Sequence, residues 1–162
     1  MSTNDQFPSH YKDFINSLNN QQVEYLLIGG YALGAYGHIR GTNDLDIFIH
    51  ATETNALKMI KACIDYGIPK EDIKKEMFLV PKMIGIGDPP LRIEILKTVA
   101  SFDFEYAFER KITRDVNGVL INVVDLDDLI MLKKAAIKER SKARDQEDLN
   151  FLQKLKSKLS GK

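Results

Sequence analysis

The stretch from Leu26 to His50, LLIGGYALGAYGHIRGTNDLDIFIH, constrains this chain more than any other. Val23 to Ile28 reads as a buried strand that stops at Gly29-Gly30, and Tyr31 to Tyr36 reads as a short helix that Gly37 can close in the left-handed conformation. Thirteen residues after the glycines, Asp44-Leu45-Asp46-Ile47 opens a second strand that runs to Ile49. Strand alternation puts Asp44 and Asp46 on one face. Aspartate is depleted in strands and like charges side by side repel, so such a pair costs stability unless a cation sits between them.

Each half of this pattern has a plain reading and a chemical one. Gly-Gly between strand and helix is an ordinary turn, or a place where backbone N–H groups meet phosphate oxygens with no side chain in the way. An Asp-x-Asp pair is a solvated strand end, or the ligand set of a divalent cation. Mg²⁺ takes oxygen ligands at about 2.0 to 2.1 Å and is commonly held by one or two carboxylates plus substrate phosphates.

Around this stretch the periodicity changes type several times. Tyr11, Phe14, Ile15 and Leu18 repeat at helical spacing, and Thr52 caps an expected helix with an apolar stripe of Leu57, Ile60 and Ile64 and a stop at Gly67. Phe78 to Ile86 and Leu91 to Leu96 read as a hairpin around Gly87-Asp88-Pro89-Pro90. Ile112 to Arg114 and Val119 to Val124 flank Asn117-Gly118, a two-residue hairpin signal. Asp125 caps a helix carrying Leu129, Leu132 and Ala136, and Leu149, Leu152, Leu155 and Leu159 mark a last helix.

Composition excludes some partners. Lysine plus arginine and aspartate plus glutamate number 23 each, so net charge gives no reason to invoke nucleic-acid coating or membrane adhesion. The distribution is uneven, since Lys133 to Lys162 holds ten basic and four acidic residues. A basic C-terminal segment thus faces an acidic body. Cys63 is the only cysteine and lies among apolar residues, which reads as a small buried hydrophobe. No run approaches the roughly 18 apolar residues of a membrane helix and no basic leader precedes one, so the expectation is a cytoplasmic protein with no membrane partner.

Taken together, Ile28, Gly29, Gly30, Asp44, Leu45, Asp46 and Ile47 resemble the signature of the DNA polymerase beta-type nucleotidyltransferase superfamily. That signature is an apolar residue, Gly-Gly or Gly-Ser, a spacer of about nine to thirteen residues, then Asp-apolar-Asp-apolar. The C-terminal DDLIMLKKAAIKERSKARDQEDLNFL looks like the closing helices of AbiEii-type and related minimal nucleotidyltransferases, with Lys133, Arg144, Asp145, Asp148 and Leu149 at the matching positions. The resemblance implies an α/β (α+β) fold, a mixed β-sheet flanked by helices with a C-terminal helical segment. It also implies transfer of a nucleoside monophosphate from an NTP to a hydroxyl acceptor.

The expectations are then specific. Residues 1–162 form one nucleotidyltransferase domain, with a mixed-sheet core over 1–124 and C-terminal helices over 125–162. Two Mg²⁺ or Mn²⁺ ions sit at Asp44, Asp46 and a third carboxylate, for which Glu94 is chosen because it faces away from Leu91, Ile93 and Ile95. Relatives more often carry Asp there. Gly29, Gly30, Arg40, Thr42, Lys133 and Arg144 would bind nucleotide, with Arg40 either holding phosphate or bracing Asp44. The acceptor is open: a tRNA end, a protein or a small molecule. A toxin of the toxin-antitoxin kind, with an antitoxin partner, is one expected setting. The competing readings are a nucleotide- or partner-binding module that keeps the fold without turnover, and a metal-dependent phosphohydrolase, which leaves the Gly-Gly turn unexplained.

Overall fold

The computed structural model describes residues 7–99, 102–140 and 142–161. Among them the elements run α1 (Ser9–Asn20), β1 (Tyr25–Ile28), α2 (Gly30–Ala35), β2 (Asp44–Ile49), α3 (Glu53–Tyr66), β3 (Ile84–Ile86), β4 (Arg92–Leu96), α4 (Phe104–Glu109), β5 (Ile112–Val116), β6 (Val119–Val123), α5 (Leu126–Arg140) and α6 (Ala143–Ser160). The strands form one mixed sheet in the order β3-β4-β2-β1-β6-β5. This is the expected mixed α/β sheet flanked by helices, with helices at the C-terminal end.

Local chemistry sets the punctuation. Thr52 Oγ1 accepts from the Asn55 N–H at 3.2 Å and Asp125 Oδ1 from the Asp128 N–H at 2.9 Å, so both expected caps form. Gly67 ends α3 at φ +119°, and Asn117 and Gly118 both turn with positive φ, as a tight hairpin between twisted strands requires. Two details differ from the sequence pattern. The buried face of α3 is Asn55, Ala56, Met59, Ala62 and Cys63, while Leu57 and Ile64 are exposed. Small residues let this helix lie close against its neighbours, and side-chain size alone misleads about its phase. Phe78 to Ile86 is not one strand: Lys75–Phe78 makes a 3₁₀ turn that buries Phe78, and only Ile84–Ile86 pairs with β4. The sequence also misses α4, which supplies Phe104 to pack edge-on against Phe48, ring centroids 5.1 Å apart.

The centre of the sheet positions the acids. β2 is antiparallel to β1, with Ile28 opposite Asp46, and parallel to β4, with Asp44 opposite Arg92 and Asp46 opposite Glu94. Leu45, Ile47, Ile93 and Ile95 therefore point to one face and are buried, leaving the charged residues on the other. Tyr11 on α1 is fully buried, and its hydroxyl donates to the carbonyl oxygens of Pro90 at 3.1 Å and Arg92 at 2.9 Å. That pair of bonds ties the first helix to the strand that carries Glu94.

Candidate active site

Asp44, Asp46 and Glu94 come together. Each offers a carboxylate oxygen within 4.8 Å of the others, from two neighbouring parallel strands and without any loop to place them. Burial, then the charges of Asp44 and Glu94, push the Asp46 carboxyl up to about 8. Burial and then Glu94 raise Asp44 as well, against smaller opposing effects of Arg92 and Thr42. The Arg92 Nε donates to Glu94 Oε2 at 3.0 Å and is the only cation paired with the three acids among the described residues. An all-oxygen set with surplus negative charge suits a hard divalent cation such as Mg²⁺ or Mn²⁺.

The glycines are explained by what stands next to them. A Cβ on Gly29 would lie 2.2 Å from Asp46 Oδ2, and the residue has φ +76°, so both contact and conformation require glycine. Gly30 would carry a Cβ 3.0 Å from the Thr42 side chain. The N–H groups of Gly30 and Tyr31 precede the first intrahelical bonds of α2, which run from Ala32 and Leu33 to the Gly29 oxygen. Thr42 Oγ1 donates to the Asp44 carbonyl oxygen at 3.3 Å, which fixes the approach to β2.

The basic residues form a second cluster at the junction of α5 and α6. Lys133 Nζ lies 3.1 Å from Asp145 Oδ1 and 2.9 Å from Asp148 Oδ2, with only 8% of its side chain exposed. Arg40 is bidentate to Asp148 through Nε at 2.9 Å and Nη2 at 2.8 Å. Arg40 therefore braces Asp148 on α6, and not Asp44. His38 also faces Asp148, at 3.3 Å, and stacks on Phe151. Arg140 grips Asp145 through Nε at 2.7 Å and Nη2 at 2.9 Å, and these bonds hold the Asp145 carboxyl down at about 2. Burial works against the ionised form of Asp148, yet bonds from Arg40 and Lys133 keep its carboxyl below the usual range. Arg144 donates to the Gly41 carbonyl oxygen. Arg40 and Arg144 both anchor the loop between α2 and β2 to α6.

The two clusters are neighbours. A cleft of about 300 Å³ is bounded by Ile28 and Gly29 on one side and by Lys133, Ala136 and Arg140 on the other. Lys133 bears electrostatically on Asp46, and Asp46 on Arg140. The resemblance marks Asp145 and Asp148, whereas Arg140 carries no signal of its own in the sequence. The signal of the two acids is also spacing: Asp145 and Asp148, three residues apart, share one helix face.

Parallel central strands that carry a carboxylate set able to hold a divalent cation, beside a two-glycine turn, define a class of α/β phosphate-chemistry site. The chain belongs to a nucleotidyltransferase family: residues 8–162 match the family described as "Nucleotidyl transferase of unknown function (DUF2204)". No curated protein matches the sequence. Among the described residues no helix is long and apolar enough to cross a membrane.

Proposed function

We propose that the protein transfers a nucleoside monophosphate from an NTP to a hydroxyl acceptor, with Mg²⁺ or Mn²⁺ held by Asp44, Asp46 and Glu94. The observation that carries this reading is the convergence of three carboxylates, with too little cationic compensation, next to a glycine turn that no other residue fits. A bound divalent pair would supply neutralisation of the acids, orientation of the triphosphate and stabilisation of the leaving pyrophosphate.

The chain's own residues do the rest. The Gly30 and Tyr31 N–H groups face phosphate oxygen, and the absence of a side chain at Gly29 keeps the path to Asp46 open. Arg140, 52% exposed, presents a guanidinium edge to the cleft from a position fixed by Asp145. Lys133 contributes its charge from within the ion-pair cluster. The acceptor oxygen attacks the α-phosphorus and the bond from that phosphorus to the bridging oxygen breaks. Pyrophosphate departs with the electron pair, and the hydroxyl proton passes to Glu94.

The test incubates the protein with each α-labelled NTP, Mg²⁺ and, in separate arms, total RNA, protein extract and a small-molecule fraction. Label in one arm, absent with Asp46→Asn, supports the reading and names the acceptor; no label in any arm opposes it. The AbiEii-type likeness of the last two helices supports a toxin setting with an antitoxin partner, to be checked by growth on induction of wild type against Asp46→Asn. One observation favours a binding module without turnover: Arg92 already pairs with Glu94. NTP binding with no transfer in any arm is the outcome that reading requires.

A further inference from the structure

Gly85 is a glycine that its own backbone does not require. It sits in the middle of β3, at the edge of the sheet, where glycine weakens a strand, and its φ lies outside the left-handed region. Its partner across the strand pair is Glu94, so a side chain at this position would stand on the face that carries the acids. That space is already taken. The three atoms nearest to a Cβ built on Gly85 are Nη2, Cζ and Nη1 of Arg92, all nearer than a real Cβ contact allows.

Arg92 comes two residues before Glu94 on β4, so both project from one face and Arg92 falls diagonally opposite Gly85. Its guanidinium is held at two points. Nε donates to Glu94 Oε2 at 3.0 Å, and Nη1 donates to the Gly87 carbonyl oxygen at 3.3 Å, in the turn that follows β3. With Oε2 engaged, Glu94 keeps Oε1 for other partners. A glutamate needs such a brace, because its last torsion is broad and two-fold and gives the carboxylate no fixed direction of its own. Folding energy does not account for the pair, since a partly exposed ion pair adds little to stability.

We propose that Arg92, seated in the space that Gly85 leaves, is a positioning residue of the transfer reaction: it holds Oε2 of Glu94 and so directs Oε1 towards the reacting atoms beside Asp46. The proposal rests on the transferase reading above and adds to it the residue that orients the third acid. Gly85 belongs to the same device, because the atoms it leaves room for are the far end of a flexible side chain. A methyl group there displaces Arg92 and spares the strand. On this reading the Arg92–Glu94 pair serves turnover, whereas a binding module without turnover would hold it as a neutralised pair.

The test compares transfer from α-labelled NTP with Mg²⁺, in the arm of the assay above that takes label, for wild type, Arg92→Gln, Arg92→Lys and Gly85→Ala. In Arg92→Gln kcat should fall about tenfold or more, with KM for the NTP within about twofold of wild type and the melting temperature retained. Arg92→Lys keeps one donor and should recover part of the rate. Gly85→Ala should lower kcat in the same sense, with no further loss when it is added to Arg92→Gln, and Arg92→Gln should add little to Glu94→Gln. Should Arg92→Gln fail to fold, Gly85→Ala carries the test. A readout without turnover is the metal-free crystal structure of Gly85→Ala and of Arg92→Gln, in which Glu94 should lose its single orientation. A full rate in Arg92→Gln, a raised KM with kcat unchanged, additive losses in the double variant, or Glu94 unmoved in both crystal structures overturns the proposal. Each of those leaves a wild type that transfers, and so the transferase reading, in place. Absence of transfer by wild type sinks that reading, and this proposal with it.

Discussion

Asp145 and Asp148 on α6 are buried and Asp44 and Asp46 on β2 half-buried, and the two pairs meet opposite surroundings. The α6 pair is fully answered by Lys133, Arg40 and Arg140, with every contact at hydrogen-bond length and carboxyls held below their usual range. The β2 pair faces a third acid, and its carboxyls are raised. Buried charge that is compensated within the fold is architecture: it locks the loop before β2 and the α5–α6 junction. Charge left over is a demand on something the fold does not contain. On the proposed function, the uncompensated acids are the ones that act, and the compensated pair holds the walls of the site in place.

The largest effect expected from breaking this contrast is on the uncompensated side. Asp46→Asn or Asp44→Asn should lower transfer by at least about 1,000-fold, on the order of 4 kcal/mol in the barrier, while the metal-free protein melts no lower than wild type. Activity with Mg²⁺ and melting in chelator read the two halves, and a variant that kept transfer would remove the acids from the chemistry. On the compensated side the signs reverse. Lys133→Ala should destabilise by about 3 kcal/mol, because Asp145 and Asp148 each lose a charged hydrogen bond and keep only an arginine, and denaturant midpoints would show it. Next in size is Glu94→Gln, which keeps shape and removes the proton acceptor. Transfer should fall about 100-fold, near 3 kcal/mol, with NTP affinity almost unchanged. A wild-type rate would leave Arg92 and Glu94 as a structural ion pair.

How far this contrast was legible in the sequence depends on distance along the chain. The acid pair, the glycine turn, both helix caps and the Asn117-Gly118 hairpin are local, and they read directly from residue type and spacing. Glu94 was readable from alternation in its own strand, although its place beside Asp46 depends on a parallel pairing that no short-range signal specifies. The compensation was not readable. Arg40 and Asp148 are 108 residues apart, and only the folded chain decides that this arginine turns to α6 and away from Asp44. Small residues hid the buried face of α3, since Ala56 and Ala62 carry less hydrophobic signal than the exposed Leu57.

The smallest expected effect sharpens the comparison through pH. With no metal bound, the Asp46 carboxyl titrates at about 8 in the folded protein and near 4 once unfolded. Between those values the folded state holds a proton that the unfolded state has released. Stability therefore rises as pH falls from about 8.5 towards 5, and at higher pH the folded state bears the full repulsion of ionised acids. Asp145 and Asp148 work in the other direction, but only lower down: their folded carboxyls are depressed, so their contribution is present above about 4 and is lost as pH falls towards 2. The two clusters thus act in separate windows. In chelator, wild type should melt a few degrees higher at pH 5.5 than at pH 8.5, relative to Asp46→Asn measured at the same two values. That difference cancels other titrating groups. Saturating Mg²⁺ should shrink it, because the cation replaces the proton as the partner of Asp46 and favours the ionised form. Parallel pH profiles for wild type and Asp46→Asn in chelator would mean that Asp46 is already compensated, and the division between the two clusters would fall.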